Sequence, residues 1–65
     1  MPEIGIIGLG LLGSAMSERL LTAGWTVRGF DVDVDRRSEH EARGGVVVDT
    51  ALSVSSAVPV PFAVV

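Results

Sequence analysis

Sixty-five residues make at most one domain, and the absence of cysteine excludes disulfides and thiolate metal sites. The net charge is −3 and the five basic residues are all arginine, with no basic face to recommend nucleic acid as a partner. Hydrophobic residues make up 48% of the chain, yet its longest apolar stretch, Ile4 to Ala15, falls short of the roughly 20 residues a membrane span requires.

The first element in chain order is a strand. Glu3-Ile-Gly-Ile-Ile-Gly8 is a short β-branched run ending in glycine, the pattern of a buried strand that feeds a tight turn. Leu11 to Ala23 reads as an amphipathic helix. Leu12, Met16 and Leu20 recur at four-residue spacing for its buried stripe, while Ser14, Glu18 and Thr22 fall on another side. Gly24 follows as its stop. Thr26-Val-Arg-Gly-Phe-Asp31 reads as a second strand, and Asp35 as the cap of a short polar helix reaching about Arg43, where Gly44-Gly45 break it. Val46 to Val48 is a third strand, Ala51 to Ala57 a weak helical segment behind Asp49 or Thr50, and Phe62 to Val65 a fourth strand after Pro59 and Pro61.

Strands alternating with helices predict an α/β chain, a doubly wound parallel sheet of Rossmann type with about four strands. Its first strand should be central, with the fourth on its far side. The acidic start Met1-Pro2-Glu3 argues against a secretory signal, so a cytoplasmic location is expected. A mean hydropathy of +0.51 in so small a chain implies exposed apolar faces, covered by further protein or used for self-association.

Between the first strand and first helix stands Gly8-Leu9-Gly10-Leu11-Leu12-Gly13, a complete G-x-G-x-x-G. In the dinucleotide reading Gly8 permits the turn, Gly10 lets a pyrophosphate approach the backbone, and Gly13 lets the helix pack closely on the sheet. The N–H groups of Leu11, Leu12 and Gly13 would then donate to the phosphates. Asp31 ends the second strand at about the distance expected for the acid that accepts from the adenosine ribose. A carboxylate there repels a 2′-phosphate and favours NAD, although Arg36 and Arg37 nearby keep NADP open. Both arginines otherwise read as the outer side of the second helix. Trp25 is expected to pack on the first helix, and His40, in the stretch Ser38-Glu39-His40-Glu41, to face solvent. No metal site is expected, and Ser53, Ser55 and Ser56 have no base at recognisable spacing.

Ile4-Gly-Ile-Ile-Gly-Leu-Gly-Leu-Leu-Gly-Ser-Ala-Met16 and Leu20-Leu-Thr-Ala-Gly-Trp-Thr-Val-Arg-Gly-Phe-Asp31 resemble the opening of the β-hydroxyacid dehydrogenases, which include 3-hydroxyisobutyrate dehydrogenase, tartronate semialdehyde reductase and 6-phosphogluconate dehydrogenase. Leu12 stands where that family prefers Met. The lead into the third strand, Ala42-Arg-Gly-Gly-Val46, is also similar, and beyond Val48 the likeness is loose. The resemblance implies that Leu11 and Leu12 lie under the pyrophosphate, that Asp31 holds the adenosine ribose and that Val32 borders the adenine. An acid at 31 resembles the NAD-using hydroxyisobutyrate branch, since the 6-phosphogluconate branch places Asn-Arg-Thr there for NADP.

The family's catalytic residue is a lysine, and this chain contains none. The expectation is therefore a partial NAD(P)-binding domain over residues 1–65, without the C-terminal catalytic and substrate domain. Such a chain would be inactive alone, and a small hydroxy acid would be substrate only of a longer form. Three readings remain beside the 3-hydroxyisobutyrate one: the N-terminal half of a prephenate dehydrogenase, that of an imine reductase, or a non-catalytic nucleotide-binding or interaction module.

Overall fold

The computed structural model describes residues 2–50 and 61–65. The helix expected at Ala51 to Ala57, with its serines, lies outside them. Strand β1 (Glu3–Ile7) is followed by helix α1 (Leu11–Thr22), β2 (Thr26–Phe30), α2 (Val34–Ala42), β3 (Val46–Val47) and β4 (Phe62–Val64). All pairings are parallel and the order is β3-β2-β1-β4, with β1 central and β4 on its far side as the sequence predicts. This is a Rossmann-type α/β sheet.

Pleating sends Ile4, Ile6, Val27 and Gly29 to one face, because Ile4 pairs with Val27 and Ile6 with Gly29. Ile6, Val27 and Leu9 are fully buried, with Met16, Leu20, Leu21 and Trp25 packed around them. Three such side chains, each stabilising by about 1.5–3 kcal/mol, form a thin core, so each close backbone contact weighs heavily. Trp25 packs as expected. The stripe of α1 packs only in part: Met16 and Leu20 reach the core. Leu12 is 61% exposed, whereas Gly13 and Ser17 are the residues of α1 that are buried. The sheet-facing side is thus rotated from the leucine spacing, because the helix comes too close to the sheet for a large side chain at its contact line.

His40 also overturns its expectation: it is 1% exposed. Its Nε2 lies 3.0 Å from the Val27 carbonyl and its Nδ1 3.0 Å from Ser17 Oγ. A carbonyl only accepts, so Nε2 carries the hydrogen, and in the neutral ring Nδ1 accepts from the Ser17 hydroxyl. The ring fills a slot between Gly29 and Gly45, where a Cβ on either glycine would strike the imidazole. One side chain so joins α2 to α1, β2 and the approach to β3. The sequence signal was available. Apart from Val34 and Ala42, α2 holds only polar or charged residues, and a helix on a parallel sheet must bury something. His40→Ala should lower the urea-unfolding free energy by about 2–3 kcal/mol, since Ser17 and the Val27 carbonyl both lose a buried partner; an unchanged midpoint would contradict this arrangement.

The cap of α2 is two residues earlier than expected. Asp33, not Asp35, is the N-cap, and its Oδ1 accepts from the Asp35 N–H at 2.8 Å. Gly24 and Gly44 end the two helices, as the sequence predicts. The second sheet face carries Phe62, Val64 and Val46, each more than two-fifths exposed among the described residues. Near its lower end Arg28 pairs with Glu3 at 3.1 Å. No described helix is long and apolar enough to cross a membrane.

Candidate functional site at the glycine turn

The carboxyl ends of β1, β2 and β4 converge where the strand order reverses, the place at which open parallel sheets leave a crevice. Ile7, Gly8, Phe30, Asp31, Val32, Val64 and Val65 line a cleft of about 180 Å³ there. A larger groove of about 430 Å³ runs along α1 between Ala15, Glu18, Arg19 and Thr22. It borders only the outer surface of one helix among the described residues and touches none of the turn.

Gly8 makes the turn. Its φ is +103°, and a Cβ there would run into the Val65 carbonyl oxygen. Its N–H donates to the Phe30 carbonyl at 2.8 Å, carrying the β1–β2 ladder one residue beyond the strand. Gly10 then serves as the N-cap of α1 with extended backbone and no side chain to cap with. The N–H groups of Leu11, Leu12 and Gly13 donate to no described residue; the helical ladder begins with Ser14 N–H to the Gly10 carbonyl at 2.8 Å. No acidic side chain occupies the first turn, so no residue of α1 itself offsets its positive end. In front of Gly10 a Cβ would meet nothing within 4 Å, whereas at Gly13 it would collide with the Gly8 carbonyl oxygen. Gly10 faces open space, and Gly13 is the contact of helix on turn.

Asp31 connects the turn to β2. Its Oδ2 accepts from the Leu9 N–H at 2.8 Å and its Oδ1 from the Asp33 N–H at 2.9 Å. The bond from Asp33 and then that from Leu9 lower its pKa from the ordinary carboxylate value; burial opposes this, and the charges of Arg36 and Arg37 assist. Each carboxylate oxygen keeps a lone pair in reserve, so Asp31 can accept two further donors. Arg36 leans toward Glu39 at 3.8 Å, and Arg37 lies 5.8 Å over the Phe30 ring. Leu11 and Val32 are about nine-tenths exposed, at the helix start and the cleft rim respectively.

The structure therefore gathers Gly8, Gly10, Leu11, Leu12, Gly13 and Asp31 around one end of the sheet, with Val32 beside them. The motif pattern alone left out Leu9, whose side chain is 1% exposed and whose backbone is held at both ends: Asp31 takes its N–H, and Ser14 Oγ donates to its carbonyl at 2.7 Å. A second-strand acid together with a hydroxyl five residues after Leu9 was the signal for it. A group carrying two acidic phosphates and a ribose fits what is present: free donors behind open space, and an ionised acceptor a short distance away.

Residues 3–65 match the model of the NAD binding domain of 6-phosphogluconate dehydrogenase. The chain is similar to 3-hydroxyisobutyrate dehydrogenase of Mycobacterium tuberculosis, with 36% identity and a TM-score of 0.84 over 94% of this chain and 21% of that one. It is also similar to an imine reductase of Streptomyces aurantiacus, with 27% identity and a TM-score of 0.82 over 95% and 22% of the two chains. Psf3, solved in complex with NADP+ and 2-OPP, shares 28% identity at a TM-score of 0.81, over 94% and 21%. An uncharacterized oxidoreductase of Synechocystis sp. is 36% identical over 85% of this chain and 19% of its own length. The chain thus spans about a fifth of the length of these proteins.

Proposed function

This chain belongs to the family of the NAD binding domain of 6-phosphogluconate dehydrogenase, and on that premise we propose that it is the dinucleotide-holding part of an oxidoreductase acting on a small 3-hydroxy acid. The observation that carries the reading is the row of N–H groups at Leu11, Leu12 and Gly13, which donate to no described residue, behind a Gly10 whose front no described atom covers. They hold the pyrophosphate. Gly8 and Gly13 shape the turn beneath it, Asp31 accepts from the adenosine ribose, and Val32 borders the adenine. Hydride transfer is the chemistry a nicotinamide would supply when bound. This chain's own residues bind and orient the cofactor, and the general acid or base would come from a lysine outside the 65 residues. The higher identity to 3-hydroxyisobutyrate dehydrogenase favours the hydroxy acid. The likeness to an imine reductase supports reduction of a C=N bond as the second reading.

NAD is the cofactor this site suits better. The Asp31 carboxylate is held ionised by two backbone donors, and a 2′-phosphate beside it meets like charge. Fluorescence titration should show NADH binding more tightly than NADPH. Asp31→Asn should weaken NADH by about tenfold, the loss of one charge-assisted bond, and should narrow the gap to NADPH. Asparagine has a single acceptor oxygen, so it must also release either Leu9 or Asp33. Failure of the unaltered chain to bind NADH would remove the cofactor assignment, and an unaltered NADH-to-NADPH ratio in the variant would remove the role of Asp31.

A further inference from the structure

We propose that Ser14 is a positioning residue for the anion-binding turn, an inference that rests on the dinucleotide reading above. Ser14 closes two successive carbonyls. Its N–H takes the Gly10 carbonyl at 2.8 Å and its Oγ–H takes the Leu9 carbonyl at 2.7 Å. Both oxygens are thereby drawn toward the body of α1. A carbonyl left free in this turn could swing outward, placing a negative dipole end next to the phosphates that the helix start attracts. The Ser14 hydroxyl removes that option for Leu9.

The bond belongs to a larger clamp. Leu9 is held at its N–H by Asp31, at its carbonyl by Ser14 and at its side chain by the core, where its Cδ2 lies 2.9 Å from the place a Gly29 Cβ would occupy. Three attachments on one residue fix the peptide planes on either side of it. Gly10, next in line, has no side chain of its own to fix it. The orientation of its N–H and of those that follow is inherited from Leu9. Asp31 thus acts on both halves of the cofactor, on the ribose directly and on the pyrophosphate through Leu9. Ser14 acts on the pyrophosphate alone.

That division gives the test. In the 65-residue chain, Ser14→Ala should weaken ADP and NADH by about fivefold, the worth of one net hydrogen bond. Adenosine, which lacks the diphosphate, should keep its affinity by NMR titration, and Ser14→Thr should restore ADP binding. Amide hydrogen exchange without ligand supplies a second readout: Ser14→Ala should speed exchange at Leu9 to Gly13 and leave β2 unchanged. Equal losses for ADP and adenosine would reduce Ser14 to a purely structural role, and unchanged ADP affinity would overturn the proposal. If the unaltered chain binds neither ADP nor NADH, the dinucleotide reading falls, and the exchange contrast alone decides whether Ser14 orders the turn.

Discussion

Gly10→Val is expected to raise the dissociation constant for NADH at least a hundredfold while lowering the urea-unfolding free energy by only about 1 kcal/mol, the cost of valine at a helix N-cap. The side chain would project into the open space in front of Gly10, where no atom of the described residues lies within 4 Å, so packing offers little resistance. The backbone there is extended, with φ −71° and ψ −155°, so it does not sit in the left-handed region that favours glycine. A pyrophosphate in that space would lose at least two charge-assisted N–H bonds at about 1.5–3 kcal/mol each, and about 2.7 kcal/mol is already a hundredfold. Paired chemical denaturation and NADH titration of the same preparation make the test. Retained affinity would mean that the phosphates do not pass over Gly10.

Gly13→Ala, three residues along, should do the reverse damage. Its added methyl would enter the space of the Gly8 carbonyl oxygen and press on the Val65 side chain at 3.3 Å. Neither can yield cheaply, since Gly8 is itself wedged against Val65 and tied to Phe30. Overpacking typically costs about 1–3 kcal/mol and more where backbone must move. A domain of this size holds only a few kcal/mol in reserve. The variant should therefore be largely unfolded at 25 °C by circular dichroism. Native-like spectra with wild-type NADH binding would show that α1 can lift off the turn, contrary to the packing described.

The contrast between two glycines of one motif shows what the sequence makes legible. The G-x-G-x-x-G stood between a strand and a helix, so the turn, the helix start and the strand-end acid could be read by position, and strand order followed from connection rules. The packing partners could not be read so directly. Leu12, Met16 and Leu20 at four-residue spacing on α1 suggested a greasy stripe, and Met16 and Leu20 do pack on the core, but close approach of helix to sheet put Gly13 and Ser17 on the contact line and left Leu12 outside. His40 sat among charges and looked solvated. Its burial depends on Gly29 in β2 and Gly45 just past its own helix, which together leave a slot its own size, and on Ser17 across the core. Asp33 took the cap from Asp35 because α2 starts at Val34, a boundary shift of a kind that charge-rich helix starts disguise.

The strand order also sets a time order. Pairing of β1 with β2 spans only α1, whereas β1 joins β4 across nearly the whole chain, Gly5 meeting Phe62. Loop-closure entropy favours the nearer contact, and kinetic barriers grow with sequence separation. The β1–α1–β2 unit therefore assembles early, with Asp31 already on Leu9, and β4 arrives late to set Val65 against Gly8. Groups that become complete only after the rate-limiting step influence escape from the native state more than entry into it. A bound nucleotide resting on this late-formed floor would lengthen the lifetime of the folded chain and leave its rate of folding almost untouched.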